Sequence, residues 1–549
     1  MDILFCDGSE RKTTVLRPET VKDLALTEII ESIAVNEKDT AIIKNIFTRI
    51  PEDPADIRYR QEILKDFCEN EEFCQQVTDS LGLITTLKDY GRASFTAPGE
   101  NLLYSLLGNL REISTYIQVS EKLVEALRKH TVRSVGLCCL KEKLEQIVED
   151  ENFETAKKDV EKMLADLSVV KGALIAVNFT PDLNVESVAA MEFVDHKLRS
   201  KYTLAEVAAN IGNILSYSTA SNSVRMNQTI RVQDPLLVNM TPLMEKHLKN
   251  HFFRIRSFLK KYIDLDGSFL TEMYEGLTFY TCMARFARRL EDKGMEICFP
   301  KITSTAGTAD GINQSEKTKE QTENQTKNGI TFRMKDLYNI RLFLSGETDI
   351  VKNDFSFSPK ENLFILTGPN RGGKTILEQA LGIISVMASV GSFVTASECE
   401  GRPFCNILTH FPIDENLTIN YGRLGEEAVR IREIVKEADE RTLILFNETY
   451  STTSAVDGLY LSKDLLHILK KMGTSVIFNT HIHEVARSLD EMNEWEGESS
   501  VVSLVMEIRD NHNTFKIKRC APDSKSYAQN IAKKYGITYD QMVTMRNEE

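Results

Sequence analysis

The stretch FILTGPNRGGKT, residues 364–375, carries an apolar run into a glycine-rich loop and then into an apolar helical pattern. Gly368 and Gly373 bracket the spacing GxxxxGK, which is followed by Ser or Thr in phosphate-binding loops. Such a loop turns backbone N–H groups onto phosphate oxygens at the N-terminus of the next helix. We expect Lys374 to reach the β- and γ-phosphates of a nucleotide and Thr375 to offer its hydroxyl to Mg²⁺. The alternative is a plain glycine turn between a strand and a helix.

The composition is that of a multidomain protein with no membrane segment. The 549 residues exceed the size at which single cores stop growing, and 42% of them are hydrophobic. No apolar run approaches the roughly 18 residues of a membrane span, and the first residues lack a secretory pattern. Ten cysteines occur without a CxxC pair. We expect a cytoplasmic protein that has no membrane partner.

The formal net charge of −14 argues against a chain that coats nucleic acid with its whole surface. A local basic face is still compatible with that charge. The candidates lie in two helical segments: Arg254, Arg256, Lys260, Lys261, Arg285, Arg288 and Arg289. A solvated helix face explains the same residues without a ligand.

Hydrophobic spacing divides the chain into a helical part and an α/β part. Helical periodicity covers residues 21–130, and a charged helix is predicted over 138–167. A further helix is predicted from about residue 240 to Gly294. Its apolar stripe consists of Leu270, Met273, Tyr274, Leu277, Tyr280, Met283, Ala284, Ala287 and Leu290.

We therefore predict three regions. A mostly helical domain covers residues 1–303, with a small mixed insertion at about 168–240. A polar linker or disordered loop covers 304–330, because its composition cannot bury enough surface to fold alone. An α/β domain covers 331–549, where strand-like runs (364–366, 443–446 and 476–478) alternate with helical ones (376–387, 426–438 and 459–472).

Two strand ends carry candidate catalytic residues. The run TLILFNETY ends at Asn447 and Glu448. In nucleotide hydrolases such a strand presents an acidic residue to Mg²⁺ and a neighbouring Glu that polarises the attacking water. Glu448 stands in the second place, whereas Asn447 brings an amide and no negative charge to the metal-facing place. A surface glutamate is the alternative for Glu448.

The run VIFNTHIHEV ends at His481, which is placed to hydrogen-bond a γ-phosphate or the attacking water. A zinc site formed by His481, His483 and Glu484 is disfavoured, because no further His or Cys stands at a supporting spacing.

These elements resemble the ATPase domain of the MutS family of DNA mismatch-repair proteins, a relative of the ABC ATPases. TGPNRGGKT (367–375) is similar to the family's TGPNMGGKS, and GSFVTA (391–396) is similar to GSFVPA. NETYSTTSAVDG (447–458) resembles DEIGRGTSTYDG, and THIHEV (480–485) resembles THYHEL.

The resemblance extends to both ends of the chain. SYAQNIAKKYGI (526–537) is similar to the family's helical element that pairs two ATPase domains, and DPADIRYRQEIL (53–64) resembles the start of its core domain. It implies an α/β C-terminal P-loop (ABC-like) ATPase domain preceded by a mostly α-helical core or lever domain. It also implies ATP and Mg²⁺ as cofactors, a homodimer formed through the ATPase domain and its helices at about 523–549, and association with DNA in repair or recombination.

The implied phosphate- and metal-binding residues are Gly368, Pro369, Asn370, Arg371, Gly372, Gly373, Lys374 and Thr375, with Asn447 facing the metal. Glu448 is the implied base, and His481 the residue that reads the γ-phosphate.

The chain departs from the family pattern in its domains and at two positions of the composite ATP site, and the two site changes weaken the expected hydrolysis. The chain starts at core-like helices, so we expect neither a mismatch-recognition domain nor a connector. Asn447 replaces an Asp, and Gly422 stands where a Ser would reach the γ-phosphate of a partner subunit. Hydrolysis is therefore expected to be weak, and a nucleotide-gated scaffold that binds ATP without turnover remains the alternative. A generic ABC or SMC-type ATPase is disfavoured by the THIHEV and SYAQNIAKKYGI elements.

Overall fold

The computed structural model describes residues 2–94, 102–168, 171–182, 185–194, 196, 249–262, 267–303, 330–412, 423–451, 453–509, 512–521 and 536–547. Its contacts define two compact units. The first contains residues 1–74, 132–138 and 275–549, and the second contains 75–131 and 139–274. The predicted linker, residues 304–330, lies outside the described residues except for Ile330.

The described elements of the N-terminal 303 residues are mainly helices. The helices are Pro18–Asp23 (α1), Leu26–Ile33 (α2), Glu37–Phe47 (α3), Pro54–Glu69 (α4), Glu71–Ser94 (α5), Leu102–Lys129 (α6), Val135–Val148 (α7), Glu151–Ser168 (α8), Lys249–Lys261 (α9) and Ser268–Glu291 (α10). The strands are Thr13–Val15 (β1), Arg49–Pro51 (β2), Gly172–Phe179 (β3), Val185–Val194 (β4) and Lys301–Ile302 (β5).

Helix α4 begins where the sequence predicts a helix start. Asp53 caps it, because its Oδ1 accepts a hydrogen bond from the N–H of Ala55 at 2.8 Å, and Pro54 occupies the first turn. Asp56 does more than add negative charge to that turn. Its carboxylate accepts from the backbone N–H of Cys6 at 2.9 Å, so it also holds the N-terminal segment in place.

The predicted helix from residue 240 to Gly294 is wrong as a single element. The described residues contain two helices there, α9 and α10, and α10 begins just after Gly267, whose carbonyl accepts from the N–H of Leu270. Glycine is a poor residue for a helix interior. The apolar stripe of α10 is confirmed: every predicted member is buried except Tyr274, which is half-buried.

The predicted basic residues of α10 have structural partners within the first unit. Arg288 donates to the carbonyl of Phe67 in the last turn of α4, and Arg289 donates to the carbonyl of Ser32 in the last turn of α2, each at 2.8 Å. These guanidinium groups therefore cap helix C-termini. In the second unit, Arg254 and Lys260 lie exposed on α9.

The α/β region is built on two sheets. Its strands are Phe332–Leu337 (β6), Asn353–Phe357 (β7), Glu361–Thr367 (β8), Glu398–Gly401 (β9), Asn406–His410 (β10), Thr442–Asn447 (β11), Ser475–Asn479 (β12), Ser500–Arg509 (β13) and His512–Arg519 (β14). Its helices are Ile340–Leu344 (α11), Lys374–Ser389 (α12), Arg423–Glu437 (α13), Ala455–Met472 (α14), His483–Arg487 (α15), Leu489–Glu494 (α16) and Tyr539–Asn547 (α17).

The larger sheet has the strand order β10-β11-β12-β8-β13-β14. Neighbouring strands from β10 to β13 are parallel, and β14 is antiparallel to β13. Asn447 pairs with Asn479, and Asn479 pairs with Leu366, so the carboxyl ends of β8, β11 and β12 meet at one edge. Ligands of open parallel sheets bind outside this edge.

The core explains why these strands read as continuous apolar runs. Both α13 and α14 pack on one face of the sheet through a buried cluster that includes Ile434, Phe446, Leu466 and Phe478. Helix α12 is buried along most of its length. A strand that is buried on both faces has apolar residues on both, so apolar and polar residues do not alternate along its sequence. Within the described residues, no helix is both long and apolar enough to cross a membrane.

Candidate functional site

The glycine-rich loop, residues 368–373, connects the end of β8 to the start of α12. Gly368 has φ 142° and Gly373 has φ 92°, which are backbone conformations that a side chain rarely tolerates. Arg371 adopts φ 62° between them. Alternation of left-handed and right-handed residues in a loop is the way in which concave, anion-binding sets of backbone N–H groups are built.

The hairpin of β13 and β14 packs against this loop and supports it. The sequence did not predict this contact. A Cβ on Gly368 would lie 2.9 Å from the Cβ of Met506, and one on Gly373 would lie 3.1 Å from the ring of Phe515. The side-chain amide of Asn513 also donates to the carbonyl of Arg371 at 3.1 Å. The loop therefore needs glycine for close packing as well as for its backbone angles.

Lys374 is folded onto the loop that precedes it. Its Nζ donates to the carbonyl oxygens of Gly368 at 3.0 Å and Pro369 at 3.2 Å, and the side chain is buried. Burial lowers the pKa of the Lys374 amine, while the carboxylates of Glu448 and Glu378 oppose that shift. The ammonium group is thus held over the loop by two neutral acceptors, which an anion would replace with a stronger partner.

A polar cluster lies beneath the first turn of α12. The Nδ2 of Asn447 donates to Thr375 Oγ1 at 3.0 Å and to Glu378 Oε2 at 2.8 Å. The Nδ2 of Asn479 donates to the same Glu378 oxygen at 3.2 Å. Sequence reasoning placed Asn447 here but missed Glu378 and Asn479.

Glu378 is fully buried, and burial raises the pKa of its carboxyl group to about 8. Its Oε1 and the Oδ1 of Asn479 have no hydrogen-bond partner among the described residues. Buried acceptors are rarely left without donors. A single cluster with two such oxygens has unused capacity for a cation or a water molecule.

Glu448 and His481 are in contact at the ends of β11 and β12. Glu448 Oε1 lies 2.6 Å from His481 Nε2, and both side chains are about one-third exposed. Glu448 has φ 53°, a conformation uncommon for a residue with a side chain. Its N–H is fixed by the carbonyl of Asn479 at 2.9 Å. Strained residues of this kind concentrate at functional sites.

The loop that follows Glu448 is tied to α13. Glu427 Oε1 accepts from the backbone N–H of Tyr450 at 2.8 Å and lies 3.9 Å from His410 Nε2. His410 is buried, and its Nδ1 lies 3.4 Å from the Thr449 hydroxyl. Burial lowers the pKa of His410 to about 4.

A cavity of about 630 Å³ adjoins the loop and the Glu448–His481 pair, whereas Asn447, Glu378 and Asn479 do not line it. Residues 369–377, Glu448 and His481 line one side. The rest of the lining is mixed: the apolar or aromatic side chains are Leu337, Tyr338, Leu342, Val351, Ala380 and Phe515, and the polar ones are Asn339, Glu347, Asp349 and Asn353. The structure therefore brings the predicted loop and both predicted strand-end residues to one opening.

Some predicted features fall outside the described residues. Gly422 is one, and residues 526–535 of the predicted pairing element are others. In the part of the chain that is described, no group of three or more His, Cys, Asp and Glu residues is placed to hold a metal ion.

Comparison with known protein families gives matches for both the helical and the α/β parts of the chain. Residues 364–548 match the family model described as MutS domain V, which is an ATPase-type domain. Residues 52–293 match the model described as MutS2 N-terminal domain. The chain belongs to the MutS family, which confirms the resemblance seen in its motifs.

Similar curated proteins include the DNA mismatch repair protein MutS of Bacillus cereus and that of Bacillus mycoides. Each is 33% identical to this chain over 146 residues, which is 26% of this chain and 16% of the relative. The same protein of Bacillus thuringiensis is 32% identical over 146 residues, with the same coverage of both chains. The matched stretch thus spans about a sixth of the length of these relatives.

Proposed function

We propose that this chain binds ATP with Mg²⁺ at the glycine-rich loop and hydrolyses it, as an ABC-like P-loop ATPase of the MutS family. One observation carries the proposal. The loop, Lys374, Thr375 and the Glu448–His481 pair all border one cavity at the carboxyl edge of the sheet. Phosphate-binding groups and a candidate base are thereby placed around the same space.

The loop and Lys374 are proposed to bind the phosphates. Backbone N–H groups of residues 370–375 meet phosphate oxygens at the N-terminus of α12, where the helix dipole favours negative charge. Lys374 then exchanges its two carbonyl acceptors for phosphate oxygens. Among the lining residues, Tyr338, Leu342 and Phe515 offer apolar surface that suits the flat face of a nucleoside base.

The residues beneath the loop fit a hard cation such as Mg²⁺. Thr375 offers a hydroxyl oxygen, Asn447 a side-chain amide, and Glu378 a carboxylate oxygen that has no hydrogen-bond partner in the described part of the chain. Oxygen ligands are those that Mg²⁺ prefers. When bound, Mg²⁺ neutralises charge on the phosphates of the nucleotide.

Glu448 is proposed as the base that orients and deprotonates the attacking water. His481 holds one oxygen of its carboxylate at 2.6 Å, which leaves the other to accept from water. In this arrangement His481 acts first on Glu448, and it reaches a γ-phosphate only if that contact opens. Hydrolysis is expected to be slow, because Asn447 carries no charge.

We further propose association with DNA and pairing of two chains through the ATPase region. The similar Bacillus proteins are named as DNA mismatch repair proteins, which supports a role in DNA repair. Helix α17 exposes Tyr539, Met542 and Met545, with 79%, 50% and 65% of each side chain accessible. An apolar surface on a terminal helix suits contact with a second copy.

Nucleotide titration tests the ATP-binding part of the proposal. Lys374→Ala should weaken ATP binding by roughly tenfold to 100-fold, because a charge-assisted contact is worth about 1.5–3 kcal/mol. The control is Lys360→Ala, which removes an exposed lysine elsewhere on the same unit. Unchanged ATP affinity in Lys374→Ala, with a normal melting temperature, contradicts the proposal.

Measurement of steady-state hydrolysis distinguishes the proposed ATPase activity from the alternative, a scaffold that binds ATP without turnover. Release of phosphate that depends on Mg²⁺ and on Lys374 supports the ATPase, whereas tight ATP binding with no turnover supports a nucleotide-gated scaffold. The DNA proposal needs its own titration, over duplex, mismatched, branched and single-stranded DNA at two salt concentrations with and without ATP. Absence of binding to all four at low salt contradicts it.

A further inference from the structure

Asn447, at the end of strand β11 that is proposed to face the metal, carries no charge. The buried carboxyl group of Glu378 lies within hydrogen-bonding distance of it. Asn447 ends β11, and Glu378 lies in the second turn of α12, three residues after Thr375. Residues three apart on a helix share a face. One amide nitrogen, Nδ2 of Asn447, lies 3.0 Å from the Thr375 hydroxyl and 2.8 Å from the Glu378 carboxylate.

The burial of this carboxylate needs an explanation. Glu378 has no accessible surface, and α12 otherwise buries mainly small and aliphatic residues around it. A buried carboxylate is costly unless an opposite charge or a full set of donors compensates it. Among the described residues, its Oε2 receives two amide donors and contacts no cationic side chain, and its Oε1 has no donor.

We infer that Glu378 supplies to Mg²⁺ the negative charge that Asn447 lacks, so that the carboxylate of this site is on helix α12 instead of strand β11. The inference rests on the proposed function of the site. Asn447 and Asn479, which end strands β11 and β12, orient the Glu378 carboxylate through their side-chain amides. Glu378 Oε1 and Asn479 Oδ1, which have no hydrogen-bond partner among the described residues, are available to the cation or to its bound water. Glu378 is therefore a positioning residue for the metal, and the cluster contains one carboxyl group, as does a site with Asp on the strand and a neutral residue on the helix.

A purely structural role makes a different prediction. If Glu378 only satisfied the amides of Asn447 and Asn479, a glutamine would do the same through its carbonyl oxygen, and metal-dependent binding would not change. If Glu378 serves the metal, Glu378→Gln should weaken nucleotide binding in the presence of Mg²⁺ but not in its absence. Glu378 does not line the cavity, so it acts on the nucleotide only through the metal site.

The experiment compares four proteins: the parent, Glu378→Gln, Asn447→Asp and the double variant Glu378→Gln with Asn447→Asp. The double variant keeps one amide and one carboxylate in contact but exchanges their positions. The affinity for a fluorescent ATP analogue is measured in EDTA and across a Mg²⁺ titration. The ratio of the two affinities gives the coupling between metal and nucleotide.

For Glu378→Gln we expect a 10- to 100-fold loss of this coupling, the usual effect of removing a group that orients a metal site. Its affinity in EDTA should be equal to that of the parent or higher. The double variant should recover most of the coupling. Asn447→Asp alone should not exceed the parent, because it places a second carboxylate against Glu378 in a buried position. Glu440→Gln, which removes an exposed carboxylate, is the matched control.

Two results overturn the inference: a parent-like coupling in Glu378→Gln, or equal losses with and without Mg²⁺ in both Gln variants. Melting temperatures of all four proteins identify loss of folding, and the double variant tests the inference even if one single variant does not fold. A parent protein that binds the analogue in neither condition contradicts the proposed function itself, which is a different outcome.

Discussion

Glu448 and His481, which end two neighbouring parallel strands, meet with 2.6 Å between Oε1 and Nε2. Both strands end at the same edge, because Asn447 and Asn479 are register partners. Glu448, which follows Asn447, and His481, the second residue after Asn479, therefore line the same cavity. A carboxylate held in this way by an imidazole is oriented for proton transfer, as in other acid–base pairs.

Glu448→Gln should abolish steady-state hydrolysis while leaving ATP affinity within about threefold of the parent. The amide keeps the size and the contact with His481 but cannot accept a proton from water. Phosphate release and equilibrium ATP binding, measured on the same preparation, check this prediction. His481→Asn should reduce turnover less, by roughly 10- to 100-fold, because it removes only the group that orients the base. Parent-like turnover in Glu448→Gln would exclude Glu448 as the base.

Lowering the pH should destabilise the first unit through His410. Its folded pKa of about 4 lies below the ordinary 6.5, so between these values the unfolded chain binds a proton that the folded chain does not. Stability is therefore fully present above pH 6.5 and falls as the pH decreases, by about 1.4 kcal/mol per pH unit in the steep range. Urea unfolding at pH 7 and pH 5.5 should show this loss.

The control for this pH effect compares two histidines. His410→Asn should flatten the dependence, whereas His512→Asn, at an exposed position, should leave it as in the parent. Arg430 also lowers the pKa of His410, and the nearby Glu427 carboxyl has a raised pKa, so the difference between variant and parent is the quantity of interest. Equal slopes for parent and His410→Asn would refute the assignment.

Gly368→Ala should weaken ATP binding and lower the melting temperature. The new Cβ would lie 2.9 Å from Met506 Cβ at a backbone φ of 142°, so both the loop and the β13–β14 hairpin must shift. We expect a cost of roughly 1–3 kcal/mol. Gly473→Ala is the matched control, because it has φ 71° but nothing within 4 Å of its Cβ. A similar small effect in both variants would show that the close approach of Met506 is unimportant.

Met542→Asp combined with Met545→Asp should weaken pairing of the chain at least tenfold. Two carboxylates on one exposed face of α17 would have to lose water on contact with a partner. Sedimentation velocity with and without ATP measures the effect, and Thr544→Asp on another face of the helix is the control. A double variant that pairs as well as the parent would show that α17 is not in the interface, and a monomeric parent with ATP present would contradict pairing altogether.

Local features of the molecule followed from the sequence, because each depends on the residues next to it. The three predicted strand-like runs lie inside β8, β11 and β12, and the predicted apolar stripe faces the core from α10. Gly368 and Gly373 have the positive φ angles that a tight loop before a helix requires. Backbone sterics and hydrophobic periodicity act over a few residues, so one sequence suffices to read them. The same reasoning failed at Gly267, where it extended one helix through a break.

Only the tertiary structure revealed how the site is connected. Glu378 reads from the sequence as one polar residue in an apolar helix, yet its partner Asn447 is 69 positions away and Asn479 is 101 positions away. The Glu448–His481 contact spans 33 positions, and Met506 and Phe515 reach the loop from a later hairpin. Side-chain patterns report which face of an element is buried, but strand order and register determine which side chains meet there. The sequence could thus name the loop and the two strand ends, whereas only the fold showed that the buried carboxyl group of Glu378 contacts Asn447 and Asn479.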